Sequence, residues 1–209
     1  VSKYSDKLNK LLAISDKEFR SDNVPKSTMT RSSAIMEGYR KTGSYKSEIS
    51  VQQYSTILGS VAPRPHMRRP YPNISAVHRD KKAQTFIKAM WGSCVEAENI
   101  IKEIAPHIHQ KQTEIFEDVK KEWRFGNMYT SSISNYNIAA QFHRDTGNIQ
   151  GTVNVILTKR HNANGGCLNV PDYNVTFEQA DNSMLVYPAW KNVHGVTPIK
   201  PIKKDGYRN

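Results

Sequence analysis

After Trp123 the sequence changes texture, and that change limits the fold more than any other feature. "ISNYNIAAQF", "GTVNVILT", "GGCLNV", "NVTFE" and "SMLVYP" succeed one another as short β-rich runs broken by Gly, Asn and Asp. Runs of this kind read as strands, and the residues between them supply turn conformations. A succession of short strands suggests a sandwich or jelly roll. The chain before Trp123 is different. Residues 1–19 carry Leu8, Leu11, Leu12 and Phe19 near one face of a short amphipathic helix. Residues 20–50 are rich in Ser, Thr, Lys and Arg and read as an extended arm. In 51–78, "ILGSVAPRPHMRRPYPN" holds too many prolines for a regular helix. Two helices are predicted next, over 81–105 with Asp80 as N-cap, and over 107–123 beyond Pro106.

The predicted class is therefore α+β: a basic arm over 1–80, then helices and a β core over 81–209. A length of 209 residues suits one domain with an appendage. Thirty Lys and Arg against nineteen Asp and Glu give a net charge of +11, which favours a polyanionic partner, nucleic acid first. The excess lies mainly in the first hundred residues. Two cysteines, Cys94 and Cys167, fit a reducing compartment, and without a CxxC motif a zinc finger or zinc deaminase is excluded. No apolar run approaches the roughly 18 residues of a membrane span, and no signal-peptide pattern opens the chain. The expectation is an intracellular protein of the nucleus or of a host-cell cytoplasm, phage origin included. No membrane association and no stable protein partner are expected.

The chain contains the tripeptide HRD twice. In "AAQFHRDTGN", His143 ends a β-like run and a turn follows. Residues i and i+2 of a strand share a face, so His143 and Asp145 can converge at a strand end. A third ligand must come from a neighbouring strand, and "VHGVTP" offers His194. Two His and one carboxylate with open positions are the arrangement of non-haem Fe(II) that activates oxygen. Arg208 lies 14 residues after His194, far enough for a turn and a return strand beside it. Its guanidinium could hold the distal carboxylate of 2-oxoglutarate by a bidentate fork. In "AVHRDKK", by contrast, a helix start follows His78, so Asp80 reads as a cap and His78 as an exposed or phosphate-facing residue. The kinase reading of HRD fails, because no glycine-rich loop, HRDLxxxN or DFG is present.

With "HRDTGN", "GGCLNVPDYNVTFEQADNSMLVYP", "VHGVTPI" and Arg208 in view, the sequence resembles the Fe(II)- and 2-oxoglutarate-dependent dioxygenases with a double-stranded β-helix, jelly-roll or cupin-like core. More narrowly it resembles the TET/JBP family, over about residues 129–209. "STILGSVAPRPHMRRPYP" is similar to the segment preceding the core in that family. The resemblance implies a metal site of His143, Asp145 and His194, with 2-oxoglutarate on Arg208 and O2 as co-substrate. It implies Asn148 as a contact to the target base, the plain alternative being a loop Asn that supports the turn. It also implies a further core strand beyond Asn209. The expected reaction is hydroxylation of the 5-methyl group of a flipped pyrimidine in DNA, 5-methylcytosine to 5-hydroxymethylcytosine first. The alternatives are a 2-oxoglutarate hydroxylase acting on thymine, RNA or protein, and a non-enzymatic, basic, nucleic-acid-binding β-sandwich.

Four residues of the proline-rich stretch, Arg64, Arg68, Arg69 and Tyr71, are candidate substrate contacts: arginine for phosphate or groove, tyrosine for stacking. Gly165 and Gly166 read as a tight turn, and Trp190 as packing rather than a pocket wall. One of Asn135, Tyr136 and Asn137 could hydrogen-bond 2-oxoglutarate, but alternation does not say which.

Overall fold

The structure is a computed structural model that describes residues 5–28, 53–61 and 73–209. Arg64, Arg68, Arg69 and Tyr71 lie outside the described residues, as does most of the arm. The first helix, α1 (Asp6–Arg20), starts where the Ser5 hydroxyl accepts the Leu8 N–H at 3.1 Å. Such a cap satisfies one of the free N–H groups of the first turn. Lys17 and Arg20 sit in the last turn, where positive charge complements the helix dipole. Leu8, Leu12 and Phe19 are buried along one face, as their spacing predicts.

The second helix, α2 (Gln84–Ile104), starts later than predicted and has no side-chain cap. Asp80 instead accepts the Lys82 N–H at 2.8 Å, closing a turn after the 3-10 segment Ala76–Arg79. An Asx side chain offered a local turn competes with capping in this way. Pro106 opens α3 (Pro106–Glu117), where its missing N–H costs nothing. The third helix ends six residues before the predicted Trp123, and Lys121–Trp123 form a separate 3-10 turn. No helix among the described residues is long and apolar enough to cross a membrane.

Among the described residues fourteen short strands make antiparallel pairings only. In the first sheet β2 (Tyr54–Val61) pairs with β1 (Ser27–Thr28), with β3 (Asn73–Ile74) and along its length with β4 (Ser131–Tyr136). In the second the order is β10 (Val175–Phe177), β9 (Leu168–Val170), β12 (His194–Val196), β5 (Ala140–His143). Three ladders complete the strands: β6 (Asn154–Thr158) with β11 (Ser183–Tyr187), β8 (Ala163–Gly165) with β13 (Ile199–Pro201), and β7 (Arg160–His161) with β14 (Tyr207–Arg208). Among the described residues these ladders do not close into a barrel. The predicted α+β class holds as helices packed on antiparallel sheet.

Two apolar clusters join helices to sheet. Phe19, Phe86, Leu58 and Phe125 pack together, with the Phe19 and Phe86 rings stacked at 5.5 Å. Leu8 and Leu12 of α1 meet Ile100 and Ile101 of α2 and Met184 of β11. The first helix thus lies between α2 and the β6–β11 ladder. It also reaches the chain's last strand. The Tyr207 hydroxyl donates to the buried Asp16 carboxylate at 2.8 Å, and the Asn209 side-chain amide donates to its other oxygen at 3.3 Å. The rings of Tyr54, Tyr136 and Tyr207 stack beside this contact, at 4.4 and 5.3 Å.

Candidate metal centre

His143 ends β5, and His194 opens β12 directly across the ladder from it. Their rings are 4.4 Å apart. Asp145 lies beyond the strand, in a turn fixed by its own N–H donating to the Ala189 carbonyl at 3.1 Å. That turn brings the carboxylate back. Asp145 Oδ1 is 3.3 Å from His143 Nε2 and 3.8 Å from His194 Nε2. One ligand atom from each residue lies within 4.8 Å of the others, and no other such group occurs among the described residues.

The orientation of both imidazoles follows from their neighbours. His143 Nδ1 is 2.7 Å from the Gln141 carbonyl, and His194 Nδ1 is 3.0 Å from the Asn192 carbonyl. A carbonyl only accepts, so each Nδ1–H donates to its carbonyl and each Nε2 is left facing Asp145. Such outer hydrogen bonds orient imidazoles that ligate metals. His194 is buried and His143 exposed, so the group is walled on one side and open on the other. Two imidazoles and one carboxylate could hold a metal ion, and this donor set suits Fe(II) with further positions open.

A cavity of about 570 Å³ is lined by this triad and by Arg208. The arginine arrives by a different route from the predicted one. Its strand β14 pairs with β7, Arg208 opposite Arg160, and not beside the strand of His194. The backbone is seated by Asn137, whose side-chain oxygen accepts the Arg208 N–H and whose own N–H donates to the Arg208 carbonyl, both at 2.9 Å. Arg208 Nη2 donates to Gln179 Oε1 at 2.7 Å and more weakly to Thr158 Oγ1 at 3.4 Å, while the buried Nε has no partner. Burial first, and the nearby Arg160 second, push the guanidinium down to about 10. No carboxylate of the described residues forms an ion pair with it. A part-buried cation with an unused donor, in the same cavity as a metal-capable triad, fits an anionic ligand such as a dicarboxylate.

The two glycines before Cys167 do more than turn the chain. Gly166 has φ +66°, and a Cβ there would lie 2.5 Å from Arg208 Cδ. The position must stay bare for the arginine to pass.

Asn148 sits beside the triad. Its amide nitrogen donates to Asp145 Oδ2 at 3.3 Å and to Asn154 Oδ1 at 3.0 Å. It lines the main cavity and also a second hollow of about 240 Å³. Of the three residues left open on the strand before His143, Asn135 lines the main cavity, Tyr136 belongs to the tyrosine stack, and Asn137 holds the Arg208 backbone. Tyr187 was not anticipated. Its ring stands edge-on to His194 at 5.2 Å, and burial, then Asp145, push its phenol upward. Only its place at the end of a β-rich run marks it in the sequence. Trp190 donates its indole N–H to the Thr152 carbonyl at 2.9 Å and packs, as expected. His78 corrects the expectation of an exposed or phosphate-facing residue: it is half-buried, and its Nε2 accepts the Gly59 N–H at 2.8 Å.

An antiparallel sheet with helices against it, carrying a two-histidine, one-carboxylate group over an arginine-floored cavity, defines a class of candidate metalloprotein. No family model and no curated protein matches the chain. Among solved structures, NgTET1 in complex with 5mC DNA is similar with a TM-score of 0.55 and 12% identity, over 99% of this chain and 88% of that one. The likeness is one of fold.

Proposed function

We infer that this protein is an Fe(II)- and 2-oxoglutarate-dependent dioxygenase that hydroxylates the 5-methyl group of a pyrimidine in DNA, 5-methylcytosine first. The observation that carries the reading is the convergence on one cavity of His143, Asp145, His194 and an Arg208 guanidinium with no carboxylate partner among the described residues. The fold shared with a TET protein bound to 5mC DNA supports it, as does the basic charge. On this reading the antiparallel ladders are the two faces of a double-stranded β-helix, with the metal at the open end of one face.

His143, Asp145 and His194 would hold the metal, and Arg208 the distal carboxylate of 2-oxoglutarate by charge-assisted hydrogen bonds. Bound together, iron and keto acid supply an O2-dependent oxidation of a C–H bond, coupled to decarboxylation of 2-oxoglutarate to succinate. The chain's own contribution is placement. The Gln141 and Asn192 carbonyls hold both imidazoles in the ligating tautomer. Asn148, anchored to Asp145 and Asn154, keeps its amide oxygen for the exocyclic amino group of a flipped cytosine. Thymine offers an oxygen at that place, so Asn148 favours cytosine on this reading. Arg64, Arg68, Arg69 and Tyr71 are assigned to grip of the DNA.

The test is succinate release by the iron-loaded protein with 5-methylcytosine DNA, thymine-only DNA and no DNA. Release stimulated by the first and lost in Asp145→Ala is the expected result. Equal release in the Asp145→Ala protein would sink the assignment of the metal site. Release with neither DNA, from protein that still binds Fe(II) and 2-oxoglutarate, would keep the dioxygenase and discard the substrate.

A further inference from the structure

Three hollows adjoin one another between the triad and the outer side of α2. The main cavity shares Tyr129, Ser131, Asn148 and Asn154 with the 240 Å³ hollow. That hollow shares Ser60 with a third, of about 270 Å³, whose walls include Trp91, Ile74, Lys88 and Arg124. Two indoles mark this path. Trp123 lines the middle hollow and is 37% exposed; Trp91 lines the outer one and is 48% exposed. Neither is buried, although each is among the most apolar side chains of the chain, and clustered exposure of this kind marks a binding surface.

The charges around the indoles have one predominant sign. Lys88 stands one turn before Trp91 on the same helix, so the two side chains are neighbours. The ammonium of Lys120 lies over the Trp123 ring, 5.2 Å from its centre. Exposed Arg79, Lys81 and Lys82 lead into α2, and Lys121 precedes Trp123. Asp80 and Glu122 are the acids interleaved with them. The Arg124 guanidinium is turned to the Val119 and Phe116 carbonyls and Glu122 also lines the outer hollow, so among the described residues the free cations beside the indoles are the ammonium groups of Lys88 and Lys120. Flat aromatic faces beside ammonium groups are the composition of a single-strand platform, where bases stack and phosphates meet cations.

We propose that a nucleic-acid strand flanking the target base runs along these hollows, with Trp123 and then Trp91 as stacking platforms and Lys88 as a phosphate contact. This rests on the reading of DNA as substrate, and it assigns a surface which that reading does not. The strand leaves the triad past Asn148, passes Ser60 and reaches the outer side of α2. The partner is a polyanion because the rim is cationic, and a nucleic acid because the cations flank indoles.

The experiment is equilibrium binding of fluorescein-labelled single-stranded and duplex oligonucleotides to the full chain without metal. Wild type is compared with Trp91→Ala, Trp91→Phe and Lys88→Ala. Trp91 and Lys88 are exposed, so the variants should fold, and circular dichroism melts check this. Trp91→Ala is expected to weaken single-strand binding roughly 5- to 100-fold, the effect of one lost base stack, with Phe restoring part of it. Lys88→Ala should lower the salt slope by about one. Wild-type binding that the Trp91 and Lys88 variants reproduce would overturn the surface and leave the DNA reading standing. A wild type that holds Fe(II) but no oligonucleotide would overturn both. Displacement of the oligonucleotide by a polyglutamate peptide at lower concentration would overturn the proposal in favour of an acidic protein partner.

Discussion

Arg208 shows how a single side chain can weaken a fold, and on the proposed function it serves the site in return. Its pKa is depressed, so the charged form opposes folding below about pH 10, and the opposition fades only as pH rises from there toward 12.5. The cost at neutral pH is on the order of a few kcal/mol. An anion bound at the guanidinium offsets it. Arg208→Met keeps the volume and removes the charge, so the variant should melt at the same temperature or higher while losing 2-oxoglutarate affinity by about tenfold or more. Paired thermal melts with and without 2-oxoglutarate check this; a wild-type Tm that 2-oxoglutarate fails to raise would contradict it. By the same sign, 2-oxoglutarate affinity should fall above about pH 10, where the guanidinium loses its proton. Gly166→Ala pushes on Arg208 from below and should weaken 2-oxoglutarate binding while leaving Fe(II) binding intact, as read by metal titration.

The elements divide between those legible in the sequence and those decided by long-range pairing. The short strands after Trp123 were readable because their alternation and their Gly and Asn turns are local. So was the triad's composition, since HxD and a late His are chemical patterns. The register that sets His143 opposite His194 was not readable, and neither was the ladder that β14 joins: spacing permits a return strand without naming its partner. Asp80 misled because an Asx turn and a helix cap use the same side chain. At this scale two outcomes are expected. Phe86→Ala, in the fully buried stack with Phe19, should cost about 3–5 kcal/mol in urea unfolding. His78 is held below its ordinary pKa by burial, and protonation removes the acceptor for the Gly59 N–H. The unfolded chain therefore binds the proton more tightly. Stability should be full above pH 6.5 and decline as pH falls below it, a decline that His78→Gln blunts in pH-dependent melts.

Over the whole molecule the net charge of +11 sets how the protein meets a polyanion. Oligonucleotide affinity should drop steeply between low and physiological salt, linearly in log–log form, with a slope counting the phosphates neutralised. A slope near zero in anisotropy titrations would remove nucleic acid from the account. The second helix has two sides: it carries Lys88 and Trp91 outward while its inner face, with α1, closes the core behind the β6–β11 ladder.

The contact of Asp16 with Tyr207 and Asn209 has a consequence for the order in which the molecule is made. All three triad residues precede residue 195, but the arginine that lines the same cavity is seated by a strand that also anchors the first helix. A nascent chain stopped near residue 200 would already own its metal ligands and yet leave α1 without its far tether. On the ribosome, the three candidate ligands would thus emerge before the arginine's strand, and α1 would wait for Tyr207 and Asn209 before its contact through Asp16 could form.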